Sequence, residues 1–309
     1  MLVQILFTFI IDCYLNGQSV HSYGPCAYDT AAGMLVHLLQ TRFDLDFSIR
    51  QLAKFSKNPK RRHFEVMRHF LLYVKAHKEA TLNYNRGLKG NMVMKINGLV
   101  AEFPKGEKIV EIDIDPNNEN PLVTGFVDAE FGGHRDKRSV FAAQLYVNAG
   151  PVWTVSVISG KVEKSTMAAE ALPMSDCQDM GEWITEWLRR VNKINDGRNN
   201  LSPGKVALFG DNNSVILALN REHGIDTLVG PPHVQLKLEA VRRAIVDGEV
   251  TVAKIWTGVN PADLGTKTLP GPTNAQASAL MMNDMENYFG QRKWLTKQRN
   301  YGKVKQSKS

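Results

Sequence analysis

An alternating run with a carboxylate on its apolar face, Thr124-Gly125-Phe126-Val127-Asp128-Ala129-Glu130-Phe131, constrains this chain more than any other feature. Side chains of a strand point to opposite faces in turn, so Phe126 and Asp128 share a face and Asp128 is aimed at a packed surface. Burying such a group is costly unless a proton, a cation or hydrogen-bond donors compensate it. The run also opens an ordered series. Three β-rich stretches, 122–131, 141–147 and 151–158, are separated by polar or glycine-containing turns and predict an antiparallel start. A long helix follows over 166–192, where Cys177, Met180, Ile184, Trp187 and Val191 keep helical spacing. Then come a strand at 206–209, helices at 213–220 and 233–246, a strand at 250–256 and a short helix from Pro261. That order predicts an α/β fold, a mixed five-stranded sheet flanked by helices.

A smaller helical segment precedes it. Apolar residues recur at three and four positions over 29–43 (Ala32, Leu35, Val36, Leu39) and over 47–55. A third helix, 60–77, has one face of Phe64, Met67, Leu71 and Val74, with Lys60, Arg61, Arg62, Arg68 and Lys75 around the rest. Asp115-Pro116-Asn117-Asn118 is a strong turn signal and sets the expected boundary near residue 120. The expected division is therefore 1–120, 121–270, and 271–309 as a C-terminal helix and basic tail.

With 38 Lys and Arg against 31 Asp and Glu, the net charge of +7 favours a polyanionic partner, nucleic acid first. Cys13, Cys26 and Cys177 form no C-x-x-C pair, so a zinc site is not expected and a reducing, intracellular setting, cytoplasmic or nuclear, is. Residues 2–11 are apolar except Gln4 and Thr8, but the run falls short of the roughly 20 residues a bilayer needs, and no basic start marks a signal peptide. No membrane partner is expected; protein partners are open.

Four carboxylates sit where the predicted elements would bring them together: Asp128 in the first strand, Glu170 in the long helix, Asp211 after the next strand and Asp263 at the last helix. Clustered like charges repel, and divalent cations neutralise them naturally. Hard oxygen ligands suit Mg2+ or Mn2+, and a pair of such ions serves phosphodiester hydrolysis. Each residue also has a plain alternative: Asp211 as a helix cap, Asp263 stabilising a helix start, Glu170 at the surface.

The motifs around these residues carry a resemblance. Gly125-Phe126-Val127-Asp128-Ala129-Glu130, Asp136-Lys137-Arg138-Ser139 and Val152-Trp153 resemble the opening hairpins of the ribonuclease H domain in copia-type retrotransposon polyproteins. Ser165-Thr166-Met167-Ala168-Ala169-Glu170 is similar to that family's S-T-x-x-A-E, Phe209-Gly210-Asp211-Asn212-Asn213-Ser214 to its C-D-N-x-S, and Asn260-Pro261-Ala262-Asp263-Leu264-Gly265-Thr266-Lys267 to its closing A-D-x-x-T-K. The similarity covers about 122–270 and extends upstream through Thr41-Arg42-Phe43-Asp44, Lys57-Asn58-Pro59 and His69-Phe70-Leu71-Leu72-Tyr73-Val74-Lys75.

The resemblance implies a ribonuclease H-like fold behind a helical remnant of the reverse transcriptase thumb or connection region. It implies metal-ligand roles for Asp128, Glu170, Asp211 and Asp263, two Mg2+ or Mn2+ ions, and an RNA:DNA hybrid as partner, recognised by shape, 2′-hydroxyls and phosphates. Expected phosphate contacts are Arg135, Lys137, Arg138 and Lys267, with His233 as a substrate contact. No Y-x-D-D motif occurs, so no polymerase activity is expected.

Several positions depart from the family pattern. Glu130 stands for a second aspartate, Ala171 for an aromatic residue, and Pro232-His233-Val234-Gln235 lacks an acidic residue. Pro173, three residues after Glu170, predicts a kink that would misplace the carboxylate. Two other readings therefore stand beside hybrid cleavage. One is a catalytically inactive, retrotransposon-derived nucleic-acid-binding protein. The other is a DEDD-type 3′-5′ exonuclease opening on Asp128-Ala129-Glu130, which lacks the required His or Tyr because Gly258 and Val259 occupy those positions.

Overall fold

The structure, a computed structural model, describes residues 25–78, 80, 82, 84, 123–147, 150–194, 204–221, 231–255, 257–269 and 271–282. The chain divides into two compact units, Met1–Leu82 and Asn83–Ser309. The apolar run at 2–11, the turn at 115–118 and the basic tail lie outside the described residues.

In the first unit, helices α1 (Pro25–Val36), α2 (Asp46–Ala53) and α3 (Arg61–Ala76) enclose a core of their own, with 3-10 turns at His37–Gln40 and Phe43–Leu45. The predicted face of α3 is the buried one, and its cations are exposed. In α1 the buried set is Tyr28, Ala31, Ala32 and Leu35, while Val36 is exposed because the next step of the helix turns it outward. Tyr28 donates to the Leu52 carbonyl at 3.0 Å, fixing α1 to α2. Buried Arg42 makes two bonds of 2.8 Å to Asp44 and one of 3.0 Å to the His77 carbonyl, satisfying a charge that could not otherwise be buried.

The second unit is built on five strands: β1 (Val123–Glu130), β2 (Val140–Val147), β3 (Gly150–Ile158), β4 (Val206–Gly210) and β5 (Val250–Lys254). Their order is β3-β2-β1-β4-β5. The first three run antiparallel, whereas β4 lies parallel to both β1 and β5. Helices α4 (Thr166–Ile194), α5 (Asn213–Leu219) and α6 (Pro232–Val246) cover one face. A 3-10 turn, Pro261–Gly265, packs on β1 and β2 and also meets α7 (Gly271–Met281). This is the ribonuclease H-like arrangement the resemblance implies, a mixed five-stranded sheet flanked by helices and preceded by a helical segment.

Alternation sorts the sheet as predicted. Val123, Val127, Ala143, Leu145, Leu208 and Val252 pack with α4 to α6, while Phe126 stacks on Phe209 at 5.4 Å and meets Tyr146 edge-on at 5.5 Å. Asp128 is buried, as its place in the alternation requires. In α4 the buried line is Cys177, Gly181, Ile184 and Leu188. Cys177 and Ile184 belong to the predicted line, whereas Met180 and Val191 are half-buried on its flank and Trp187 is exposed. A Cβ at Gly181 would come within 2.8 Å of Val206, so this glycine sets how closely α4 approaches β4. Cys177 is buried and carries no disulfide.

Gly265 brings the 3-10 turn against the sheet: a Cβ there would stand 2.5 Å from that of Ala142, the partner of Asp128 across β1 and β2. Gly265→Ala is expected to cost about 1–3 kcal/mol through overpacking. Gly160→Ala, with open space around it, should stay within about 0.5 kcal/mol of wild type. Urea unfolding of both variants checks the contrast, and equal midpoints would remove this account of the turn.

Candidate active site

The site forms where β1 outruns its parallel neighbour. β1 pairs with β4 only from Val123 to Phe126 but with β2 as far as Glu130. The backbone groups of Val127 and Ala129 on the β4 side therefore need other partners. Asn260 Nδ2 donates to the Val127 carbonyl at 2.9 Å, and the Glu170 carboxyl comes in beside the Ala129 backbone. The unpaired end of β1 is thus where Asn260 and Glu170 approach the sheet.

Two asparagines release two aspartates from capping. Asn212, not Asp211, caps α5, accepting from Ser214 N–H at 3.0 Å and Val215 N–H at 3.3 Å. Asn260, not Asp263, caps the 3-10 turn, accepting from Ala262 N–H at 3.2 Å. With the capping work done by its neighbour, each aspartate is free to face the centre. Asp211 accepts a bond from the Thr257 hydroxyl at 2.8 Å.

Asp128, Glu170 and Asp211 each offer an oxygen within 4.8 Å of the others. Asp128 and Glu170 are buried and Asp211 is partly buried. Asp263, also buried, adjoins this set through Asp128, whose charge helps to raise its carboxyl. Lys267, one helical turn after Asp263, places its ammonium 3.1 Å from Asp263 Oδ1 and 3.7 Å from Asp128 Oδ2. Thr266 donates its hydroxyl to Asp128 Oδ2. The structure thus brings together three of the predicted carboxylates within reach of a single ion, with the fourth alongside.

Pro173 does not displace Glu170. Helix α4 runs unbroken through the buried proline, and Glu170 reaches the cluster. The bond that Pro173 cannot donate belongs to the Ala169 carbonyl. The opening turn is held instead by Ser165, whose Oγ accepts from Ala168 N–H at 3.1 Å and whose carbonyl accepts from Ala169 N–H at 3.2 Å. Glu130, the second acid of the exonuclease pattern, is not part of the three-carboxylate group among the described residues.

The predicted basic contacts fall into different environments. Arg135 and Lys137 are exposed in the turn between β1 and β2, Lys137 at a φ of 65°. Arg138 is instead tied back, its Nε 2.7 Å from Asp136 Oδ2 and its Nη1 3.4 Å from the Ser159 carbonyl. His233 is exposed on the first turn of α6. Lys267 pairs with the carboxylates rather than standing free. Sequence reasoning gave no role to Thr257, Asn260 or Thr266. Asn260-Pro261 is nevertheless a cap followed by proline at the first helical position, a signal legible in advance.

Burial dominates the electrostatics. It pushes the Glu170 carboxyl up to about 9, helped by the charges of Asp128 and Asp211, and Lys267 offsets only part of this. Asp263 is raised to about 7 by burial and then by Asp128. Asp128 is raised as well, burial outweighing the help it receives from Lys267 and Thr266. For Lys267 burial works the other way, but Asp128 and Asp263 together outweigh it and hold the ammonium above its ordinary range. A hard, oxygen-only donor set whose ordinary charges cannot all persist together fits a divalent cation of the Mg2+ or Mn2+ type.

The fold and this centre define a ribonuclease H-like domain with a buried acidic cluster. Over 246 residues, 79% of its length, the chain is 22% identical to the retrovirus-related Pol polyprotein from transposon TNT 1-94 of Nicotiana tabacum, of which it spans 15%. That match supports the relationship read from the motifs, to the ribonuclease H region of copia-type retrotransposon polyproteins. No family model matches the chain. Among solved structures, it is similar to ribonuclease H1 from the halophilic archaeon Halobacterium salinarum NRC-1, with 14% identity, 54% of this chain and 98% of that one covered, and a TM-score of 0.31. The N-terminal ribonuclease H domain of rv2228c from Mycobacterium tuberculosis gives 14% identity, coverage of 53% and 98%, and a TM-score of 0.32. No helix of the described residues is long and apolar enough to cross a membrane.

A raised carboxyl binds its proton in the folded state where the unfolded chain has released it, so stability must fall as pH rises through that window. For Glu170 the window runs from the ordinary value of 4.5 to about 9. In chelator, wild type should lose stability between pH 5 and 9, and Glu170→Gln should flatten the decline. Urea unfolding at pH 5, 7 and 9 tests this; parallel curves for the two proteins would contradict the assigned origin.

Proposed function

We propose that this chain is a ribonuclease H-type endonuclease that hydrolyses the RNA strand of RNA:DNA hybrids with two Mg2+ or Mn2+ ions. The observation that supports it most is the meeting of Asp128, Glu170 and Asp211 within 4.8 Å, from two strand ends and a helix start far apart in sequence. In this reading these residues and Asp263 hold the cations. When bound, such ions lower the pKa of an attacking water and stabilise the leaving 3′ oxygen.

The remaining work falls to the chain's own groups. Glu170 keeps its carboxyl proton in the metal-free state and gives it up as a ligand, so cation uptake near neutral pH releases a proton. Thr257 orients Asp211 through its hydroxyl. Thr266 does the same for Asp128. The exposed cations Arg135 and Lys137 contact backbone phosphates, and His233 touches substrate. Arg138 shapes the turn that presents them, through Asp136 and Ser159. The leading helices are then a remnant of the reverse transcriptase thumb or connection region.

A labelled RNA:DNA hybrid incubated with Mg2+ should be cut only in its RNA strand and only without chelator. Asp211→Asn and Asp128→Asn should reduce cleavage to background while hybrid binding persists, and Thr257→Val should lose about 10–100-fold, as for groups that orient a metal ligand. Cleavage by Asp211→Asn at the wild-type rate would overturn the assignment. Equal inertness of wild type and variant, with binding intact, would favour a nucleic-acid-binding role without catalysis.

A further inference from the structure

The acidic centre is asymmetric about Asp128. On one side Asp128 faces Glu170 and Asp211, and the three have an oxygen each within 4.8 Å of the others. On the other side it meets Asp263, and there the ammonium of Lys267 lies 3.1 Å from Asp263 Oδ1 and 3.7 Å from Asp128 Oδ2. Among the described residues, the side of the centre with Glu170 and Asp211 has no cation paired with it, while the side with Asp263 has Lys267.

We propose that Lys267 is a built-in cation holding the Asp128–Asp263 half of the centre, so that without nucleic acid the protein takes up one divalent ion and not two. The inference rests on the hydrolase reading above and specifies how its site fills. A second divalent ion approaching Asp263 meets a positive charge already paired with the two carboxylates it needs, and the like-charge repulsion is strong where solvent is largely excluded. Asp128 Oδ2 is further engaged by the Thr266 hydroxyl, which reduces what that oxygen can offer on this side.

Lys267 is also built to leave. Its side chain is 32% exposed, whereas those of Asp128 and Asp263 are 4% and 10% exposed, so the ammonium sits at the solvent side of the pair. A flexible four-carbon stem lets it exchange the carboxylates for a phosphate oxygen as nucleic acid arrives. The lysine then contributes phosphate contact at the moment the second cation position opens. The same residue accounts for both the ion pair in the structure and the phosphate contact the motif implied.

The test is the number of Mn2+ ions bound per full-length chain, measured by calorimetry and by the electron paramagnetic resonance of free Mn2+. Wild type should bind one ion, and Lys267→Met a second one at least tenfold more tightly than wild type does. Lys267→Arg, which keeps the charge, should remain at one. Lys267→Gln gives the same reading should the methionine variant fold poorly. Wild type mixed with a non-cleavable phosphorothioate hybrid, which needs no variant, should rise to two. If wild type alone binds two ions, or if Lys267→Met and Lys267→Gln match wild type in number and affinity, the inference falls and the hydrolase reading survives. If no form binds Mn2+ even with hybrid, both fall together.

Discussion

The second unit turns on holding like charges close together at the open end of a sheet. Asp128, Glu170 and Asp211 would repel one another strongly at this separation in a largely desolvated setting. The fold tolerates them by three means at once. Burial raises the Glu170 carboxyl to about 9, Lys267 supplies a positive charge beside Asp128 and Asp263, and the Thr257 and Thr266 hydroxyls donate to Asp211 and Asp128. Each of these compensations gives way readily: protons dissociate, a lysine side chain moves, hydrogen bonds exchange. A centre so arranged tolerates its own like charges by means that can be withdrawn.

The geometry that imposes the crowding is ordinary sheet chemistry. Because β4 ends before β1 does, the backbone of Val127 must bond outside the ladder, and its carbonyl accepts from Asn260. Gly265 then lets the 3-10 turn press on Ala142, which carries Asp263, Thr266 and Lys267 to the same spot. The metal-ligand candidates are thus positioned by hydrogen-bond accounting and close packing, neither of which depends on a bound ion.

Much of this was legible in the chain itself. Alternation around Phe126 and Asp128 announced both the strand and its buried carboxylate, and the strand and helix order predicted the mixed sheet. Helix α3 showed its buried face directly, since Phe64, Met67, Leu71 and Val74 sit on one apolar stripe. Less visible was the core line of α4, because Gly181 occupies a core position without an apolar side chain to mark it. Pro173 looked disruptive from local propensity alone, yet tertiary packing kept the helix whole. The partners of Lys267 were hidden for another reason. A basic residue in a basic protein reads as a phosphate contact until the fold shows which carboxylates it faces.

The proposed chemistry requires that these carboxylates hold a divalent cation. Anomalous diffraction from crystals grown with Mn2+ measures this most directly. It should show a peak bonded to oxygens of Asp128, Glu170 and Asp211 at distances of roughly 2.0–2.3 Å, in the range for small hard cations. Saturating Mn2+ with no peak at these three side chains, or with a peak only elsewhere on the chain, would contradict it.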